Sequence, residues 1–281
     1  MYRLEALSRL IWESVPAGAA EPFGVITAFG SATFLLFALS LLYWLDERRS
    51  TAAVVSYALI ALAVVIGLKA AMGLPRPPEA VRLIPLEADP NGFPSGHTVA
   101  AVVVYGGLLA VRDRLDDHRA VVAVVVLVGL VGLSRVVLGM HYLGDVVVGT
   151  ALGLVLLAVC VRVVGDDPTR GFALAAVVSV PAVVVTALGA EALLAFGGSL
   201  GGAVGSLRLD GLAELQSRFH GVVLTAVGVP FVFLTDELAD GLAEPALVVF
   251  AYALLVAGIL RLPALVRRLP LDAVRRASKP R

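Results

Sequence analysis

Two histidines and an aspartate are unusual in this sequence because they interrupt long apolar runs. His97 follows Pro-Ser-Gly at the start of one run, and His141 lies four residues before Asp145 at the start of another. Residues four apart share one face of a helix, so the imidazole of His141 and the carboxylate of Asp145 can form a hydrogen bond. That bond would fix the tautomer and raise the basicity of the ring, as a nucleophile or general base requires. A purely structural histidine–aspartate hydrogen bond is the alternative interpretation of this pair.

Three cations lie near the ends of neighbouring apolar runs. Lys69 and Arg76 flank the end of one run, and Arg135 follows Ser134 at the end of another. Guanidinium and ammonium groups match the oxygens of a phosphate. For Lys69 alone the alternative is snorkelling, in which a long cation near a helix end reaches for lipid headgroups.

The stretch from Pro94 to His97 predicts the N-terminus of a helix. Ser95 is a good N-cap residue, and Pro94 suits the position before it. The free amides and the positive dipole end of a helix start favour a bound anion, and Gly96 lets that anion approach the backbone. A capped helix start with a polar histidine at its rim is the structural alternative.

Membrane helices are the elements that must position these residues. Hydrophobic residues make up 59% of the 281-residue chain, and the mean hydropathy is +0.94. A soluble domain is about 45–50% apolar, and the excess here lies in blocks near the roughly 20 residues that cross a bilayer. The sequence therefore predicts an all-α fold, a polytopic membrane helical bundle. The formal net charge of zero gives no indication of a nucleic-acid partner, and no signal for an oligomeric state is found.

Turns and polar segments divide the chain into eight predicted spans. They cover residues 23–45, 51–72, 94–111, 120–138, 142–164, 172–196, 221–234 and 245–260. The first six form a predicted core, 23–196, and residues 197–281 form a C-terminal membrane extension with about two helices and a basic tail. Residues 1–22 are predicted to hold a short amphipathic helix on the membrane surface.

The positive-inside rule predicts the orientation of the bundle. The turns at 46–50, 112–119 and 162–170 share seven arginines and are expected on the cytoplasmic side. Eight spans would place the basic tail on the opposite side, against the rule, whereas seven or nine spans would satisfy it. The glycines between residues 197 and 205 allow either close helix contact or a flexible hinge.

All the polar clusters fall on one side of the predicted bundle. Counting spans puts them at the end of the second, the start of the third, the end of the fourth and the start of the fifth. This convergence predicts one site in which imidazoles and cations surround a phosphate. The sequence offers no carboxylate cluster for a two-metal site.

The three motifs together resemble the signature of the type 2 phosphatidic acid phosphatase superfamily. They are Lys69-x6-Arg76-Pro77, Pro94-Ser95-Gly96-His97 and Ser134-Arg135-x5-His141-x3-Asp145. That superfamily includes lipid phosphate phosphatases and polyprenyl diphosphate phosphatases, and vanadium-dependent haloperoxidases share its site. The resemblance covers about residues 51–165 and a sixth core helix.

The resemblance implies a role for each residue of the signature. His141 would attack phosphorus to form a phosphohistidine, and Asp145 would orient it. His97 would protonate the leaving oxygen and then activate water, and neither a metal nor another cofactor would be needed. The phosphate oxygens would be held by Lys69, Arg76, Ser95, Gly96, Ser134 and Arg135.

The expected function is hydrolysis of a phosphorylated lipid in the cell membrane, with the site on the extracytoplasmic face. The candidate substrates are a polyprenyl phosphate or diphosphate, phosphatidic acid, and phosphatidylglycerol phosphate. A phosphotransferase that passes the phosphoryl group to an alcohol is an alternative. A transporter is a weaker alternative, because transporters place polar residues at mid-membrane on broken helices, whereas the middles of the first six predicted spans carry no charge.

Overall fold

The described residues of the chain are folded almost entirely into helices. A computed structural model describes residues 3–46, 48–85, 89–207 and 218–267. Within these ranges there is no β-strand, so the predicted all-α fold is confirmed. The helices are α1 (Glu5–Ser14), α2 (Ala20–Ala28), α3 (Ala32–Leu45), α4 (Arg48–Met72), α5 (Gly96–Ala110), α6 (His118–Val137), α7 (Leu143–Val163), α8 (Pro168–Val185), α9 (Ala190–Ser206), α10 (Arg218–Asp240) and α11 (Pro245–Val266).

Six of the described helices are long and apolar enough to cross a membrane. They are α4, α6, α7, α8, α10 and α11, and α2 with α3 makes a seventh if this pair, bent by 47°, is one span. Large apolar side chains such as Val125, Val155 and Val177 are exposed on these helices, as lipid-facing positions require. The predicted polytopic helical bundle is confirmed.

The predicted sixth span, residues 172–196, is wrong because the chain reverses within it. α8 ends at Val185, and Ala187 and Leu188 take positive φ angles of 51° and 68°. α9 then runs back along α8, so that Thr169 donates a hydrogen bond to Ser206 at 3.0 Å. Residues of this kind seldom adopt a left-handed backbone. In the sequence only Gly189 indicates a turn here, so the apolar run has the appearance of one continuous helix.

The glycines of α9 allow close helix packing. A β-carbon on Gly197 or Gly201 would collide with the backbone of Val249 or Ala253 on α11. From the first contact to the second, the chain advances by four residues on both helices, so α9 and α11 run parallel. α10, which connects them in the sequence, runs in the opposite direction. The glycine spacing therefore serves packing, the first of its two predicted uses.

The C-terminal extension shares its core with the preceding helices. Tyr43 and Trp44 at the end of α3 are fully buried, and they donate hydrogen bonds to the carbonyls of Leu260 and Ile259 at 2.8 Å and 3.0 Å. Because indole and phenol groups need a partner when buried, these bonds attach α11 firmly to α3.

Candidate active site

The predicted site residues meet where α4 and α6 end and where α5 and α7 begin. The loop from residue 73 to 95 closes one side of the site and is described except for residues 86–88. The turn between α6 and α7 carries His141, which is 1% exposed. Arg76 lies beside His141 and Arg135 beside His97, so the structure brings residues of the three polar clusters close together.

The hydrogen bonds of His141 define its tautomer. Its Nδ1 lies 2.6 Å from the carbonyl oxygen of Gly92, and because a carbonyl only accepts, Nδ1 carries the hydrogen. Nε2 therefore holds the electron pair, and it lies 3.4 Å from Nη1 of Arg76. The electron pair of the ring points toward a cation, where an anionic phosphate would bind.

The surroundings of His141 keep its ring neutral. Burial lowers the pKa of His141 well below its usual value, and the charges of Arg135, Arg76 and Lys69 lower it further, whereas the hydrogen bond to Gly92 opposes them. A neutral imidazole is the form that attacks phosphorus. The unprotonated Nε2 of the buried His141 is thus under the influence of the positive charges of Lys69, Arg76 and Arg135.

Asp145 does not make the hydrogen bond to His141 that the spacing predicted. Its nearest carboxylate oxygen lies 3.7 Å from Nδ1, beyond hydrogen-bond distance. The physical reason is that α7 begins at Leu143, so His141 lies outside the helix and the four-residue spacing does not align the two side chains. Gly92 provides the acceptor instead.

Arg3 binds the carboxylate of Asp145, and sequence reasoning missed it. Its Nε and Nη2 donate to the two oxygens of Asp145 at 2.7 Å and 2.8 Å, and its Nη1 donates to the carbonyl of Pro75 at 2.8 Å. The guanidinium also lies 4.4 Å above the ring of Tyr142. Arg3 is 6% exposed. Only its position beside the predicted amphipathic helix could have drawn attention to it.

Helix α1 fixes Arg3 in place by docking on the site. Ser8 accepts a hydrogen bond from the amide of Leu143 at 2.8 Å, and Trp12 donates to the carbonyl of Val136 at 2.7 Å. The predicted short N-terminal helix is present. Its Leu7 and Leu10 are exposed, as in a helix whose outer side meets lipid.

Asp89 organises the two cations of the first motif. It forms an ion pair with Lys69 at 2.6 Å, and its carbonyl accepts from Nε of Arg76 at 2.8 Å. Burial alone would raise the pKa of Asp89, but the hydrogen bond and charge of Lys69 and the amide of Asn91 lower it overall. A charged Asp89 holds the loop that carries Gly92.

The space beside Gly92 leaves little room for a side chain. A β-carbon there would lie 3.0 Å from Cα of Arg76 and 3.1 Å from Nη2 of Arg3. The backbone packs this closely because its carbonyl has to reach His141. The role of Gly92 depends on tertiary contacts, and no motif in the sequence marked it.

His97 faces the same cations from the start of α5. Its Nε2 lies 3.5 Å from Nη1 of Arg135, which in turn donates to Thr27 of α2 at 3.1 Å. Lys69 and Gly96 line the same cavity as His97. Arg135 therefore links the surroundings of the two histidines.

The two predicted phosphate-binding serines have local partners in this structure. Ser95 stands at the N-cap position of α5 but shares a hydrogen bond with Thr98 Oγ1 at 2.9 Å rather than capping an amide. Ser134 donates to the carbonyl of Val131 at 2.7 Å within α6. Among the described residues, no group of three or more His, Cys, Asp or Glu side chains could hold a metal ion.

Comparison with known proteins supports the resemblance that the motifs carry. Residues 49–168 match the PAP2 superfamily. Phosphatidylglycerophosphatase B of Bacillus subtilis (strain 168) is 40% identical over 70 residues, which cover 23% of this chain and 34% of that protein, so the chain spans about a third of the length of this curated relative. No solved structure matches the chain significantly. The segment 49–168, which is similar to this superfamily, contains every residue from Lys69 to Asp145.

Proposed function

We propose that this protein is an integral-membrane phosphatase that hydrolyses a phosphomonoester or diphosphate lipid headgroup through a phosphohistidine. The observation that carries the proposal is the neutral, buried His141, whose unprotonated Nε2 is directed at Arg76. Among the candidate substrates, phosphatidylglycerol phosphate gains support, because the similar protein is named a phosphatidylglycerophosphatase.

In the first step, Nε2 of His141 attacks phosphorus and the bond to the leaving oxygen breaks. His97 donates a proton to that oxygen. The leaving group is the lipid alcohol or, from a diphosphate, the lipid monophosphate, and it departs with this oxygen protonated. Lys69, Arg76 and Arg135 stabilise the negative charge on the equatorial oxygens, and such preorganised charge is usually the largest catalytic contribution. Ser95, Gly96 and Ser134 remain proposed oxygen contacts.

In the second step, water attacks the phosphohistidine. His97, now neutral, accepts a proton from that water while the phosphorus–nitrogen bond breaks. Inorganic phosphate leaves, and His141 regains its electron pair. No metal takes part in either step.

Asp145 acts in this mechanism by its charge. The ring of His141 becomes cationic when phosphorylated, and a carboxylate 3.7 Å away stabilises that charge. Arg3 keeps the carboxylate in position, which makes Arg3 a positioning residue. The role of orienting the ring, which the family resemblance assigned to Asp145, passes to the carbonyl of Gly92.

We further propose a site on the extracytoplasmic face of the cell membrane and a phosphatase core that ends with α8. The arginine-bearing turns at 46–50, 112–119 and 162–170 lie at the helix ends opposite the site. The extension then begins with α9, rather than at residue 197. Orientation by arginine content supports the predicted face, and the chain reversal at Ala187 and Leu188 supports the boundary after α8.

The test of this function is phosphate release by the purified protein from a panel of lipid phosphates, without added alcohol. We expect release of inorganic phosphate by the intact protein and none by His141→Ala. The matched control is His118→Ala, because His118 is exposed at the opposite end of α6. Phosphate that appears only as a new ester when an alcohol is supplied would indicate a transferase instead.

A further inference from the structure

A cavity of about 240 Å³ runs into the bundle from the candidate active site. Lys69, Gly96 and His97 line one end of it. The remainder is lined mainly by leucine, valine, isoleucine and alanine side chains of α3, α4, α5, α9 and α11. The cavity is therefore continuous with the place where a phosphate would bind.

The cavity extends along one face of α4 and becomes apolar away from the site. Val55, Leu59, Leu62, Ile66 and Lys69 follow one another at helical spacing along this face. At about 1.5 Å of rise per residue, Val55 lies roughly 21 Å from Lys69. This length exceeds half of the roughly 30 Å hydrocarbon core of a bilayer.

Helices outside the PAP2 segment form much of the cavity wall. α3 contributes Leu35, Leu36 and Leu39, α9 contributes Leu194 and Gly198, and α11 contributes Leu255 and Val256. All of these positions lie outside residues 49–168. A β-carbon on Gly198 would come within 3.2 Å of Val256 and 3.4 Å of Leu59, so α9 closes the space between α4 and α11.

The polar and exposed lining residues lie near the active-site end. Glu191 in the first turn of α9 and Asp236 near the end of α10 share that end with Lys69 and His97. Ala32 and Thr33 at the start of α3 line the cavity and are exposed. The charged groups thus lie at the active-site end of the cavity, beside the exposed start of α3.

We propose that this cavity holds a long hydrocarbon chain of the substrate and that α3, α9 and α11 set the chain length that the enzyme accepts. The proposal rests on the proposed function and names the substrate class: a phosphate attached to a long, flexible alkyl or isoprenoid chain. With the phosphate among Lys69, Arg76 and Arg135, the chain follows the apolar face of α4. Each methylene buried there contributes about 0.8 kcal/mol.

The first test compares hexadecyl phosphate with butyl phosphate on the intact protein and two variants. Ala58→Phe fills the cavity from α4, and Leu36→Trp fills it from α3. For each variant we expect kcat/KM for hexadecyl phosphate to fall about tenfold or more, the effect of displacing roughly two methylenes. The value for butyl phosphate should stay within about twofold, since a short chain does not reach the filled region.

Ala151→Phe on the exposed side of α7 is the matched control, and it should leave both substrates unaffected. Equal losses for the long and short phosphates would overturn the proposal, as would an intact protein that does not prefer the longer chain. An intact protein that releases phosphate from neither ester would instead overturn the proposed function. Leu255→Ala, which enlarges the cavity from α11, should raise the relative rate for a branched phytanyl phosphate.

Discussion

The tautomer of His141 decides what its side chain can do. The carbonyl of Gly92 requires hydrogen on Nδ1, so Nε2 is left for attack on phosphorus. Because burial and nearby cations also lower the pKa of this ring, the nucleophile stays unprotonated well into mildly acidic solution. The activity of the intact protein should therefore persist at low pH until other groups titrate.

Replacing Arg3 should change this pH dependence. In Arg3→Ala the carboxylate of Asp145 loses its partner, and it then favours a proton on the nearby ring of His141. The pKa of His141 rises, so the acid limb of the kcat/KM profile should move to higher pH. A phosphate-release assay between pH 4 and pH 8 measures the shift.

The conservative variant Arg3→Lys should recover part of this shift, because it restores a positive charge without the paired hydrogen bonds. Arg9→Ala is the control, since Arg9 is exposed on α1, the helix that follows Arg3. A uniform loss of activity at every pH would mean that Arg3 only supports folding.

Replacing His97 should separate the two chemical steps. In His97→Gln a substrate with a poor leaving group loses about 10²–10⁴ in rate. A nitrophenyl phosphate needs no proton on its leaving oxygen, so it should still phosphorylate His141, while water attack stays slow. The phosphoenzyme should then accumulate, as detected by intact-mass measurement at neutral pH. Full turnover of both substrates would remove His97 from acid–base catalysis.

At the scale of elements, α9 depends on its glycines. Gly201→Val would push against the backbone of Ala253, which cannot move aside as a flexible side chain can. Overpacking typically costs about 1–3 kcal/mol, so the variant should unfold at a lower temperature in detergent. The matched control is Gly129→Val on α6, where a β-carbon meets nothing within 4 Å. Equal stability of the two variants would contradict tight packing between α9 and α11.

At the scale of the whole molecule, the division of the sixth predicted span changes the topology. If the shorter helices α5 and α9 also cross the membrane, α2 with α3 forms one span and each helix from α4 to α11 another, which gives nine crossings among the described residues. An odd number places the end of α11 on the side opposite the active site. The basic tail, whose residues after 267 lie outside the described residues, would then satisfy the positive-inside rule that eight spans violated.

Cysteine labelling in intact cells tests this nine-span topology. In a Cys160→Ala background, Leu188→Cys lies on the active-site side and Arg114→Cys on the other. Nine crossings predict that Ser278→Cys, outside the described residues, is on the same side as Arg114→Cys. An impermeant maleimide should label the first and spare the other two until the cells are opened. Labelling of Ser278→Cys in intact cells would require an even number of crossings.

The sequence by itself determined which chemical groups the protein has and that membrane helices carry them. Long apolar blocks can satisfy their backbone only as helices in lipid, and counting those blocks placed Lys69, His97 and His141 on one side. Local spacing could not determine the partners of these groups. It suggested a bond between His141 and Asp145, which fails because the helix starts two residues too late.

Only the tertiary structure decided that Arg3 holds Asp145, that Gly92 orients His141, and that the chain reverses at Ala187 and Leu188. Arg3 and Asp145 are 142 positions apart, so their pairing depends on where α1 docks rather than on any local pattern. The reversal likewise depends on packing, since two apolar residues adopt left-handed backbone only where the surrounding helices compensate its cost.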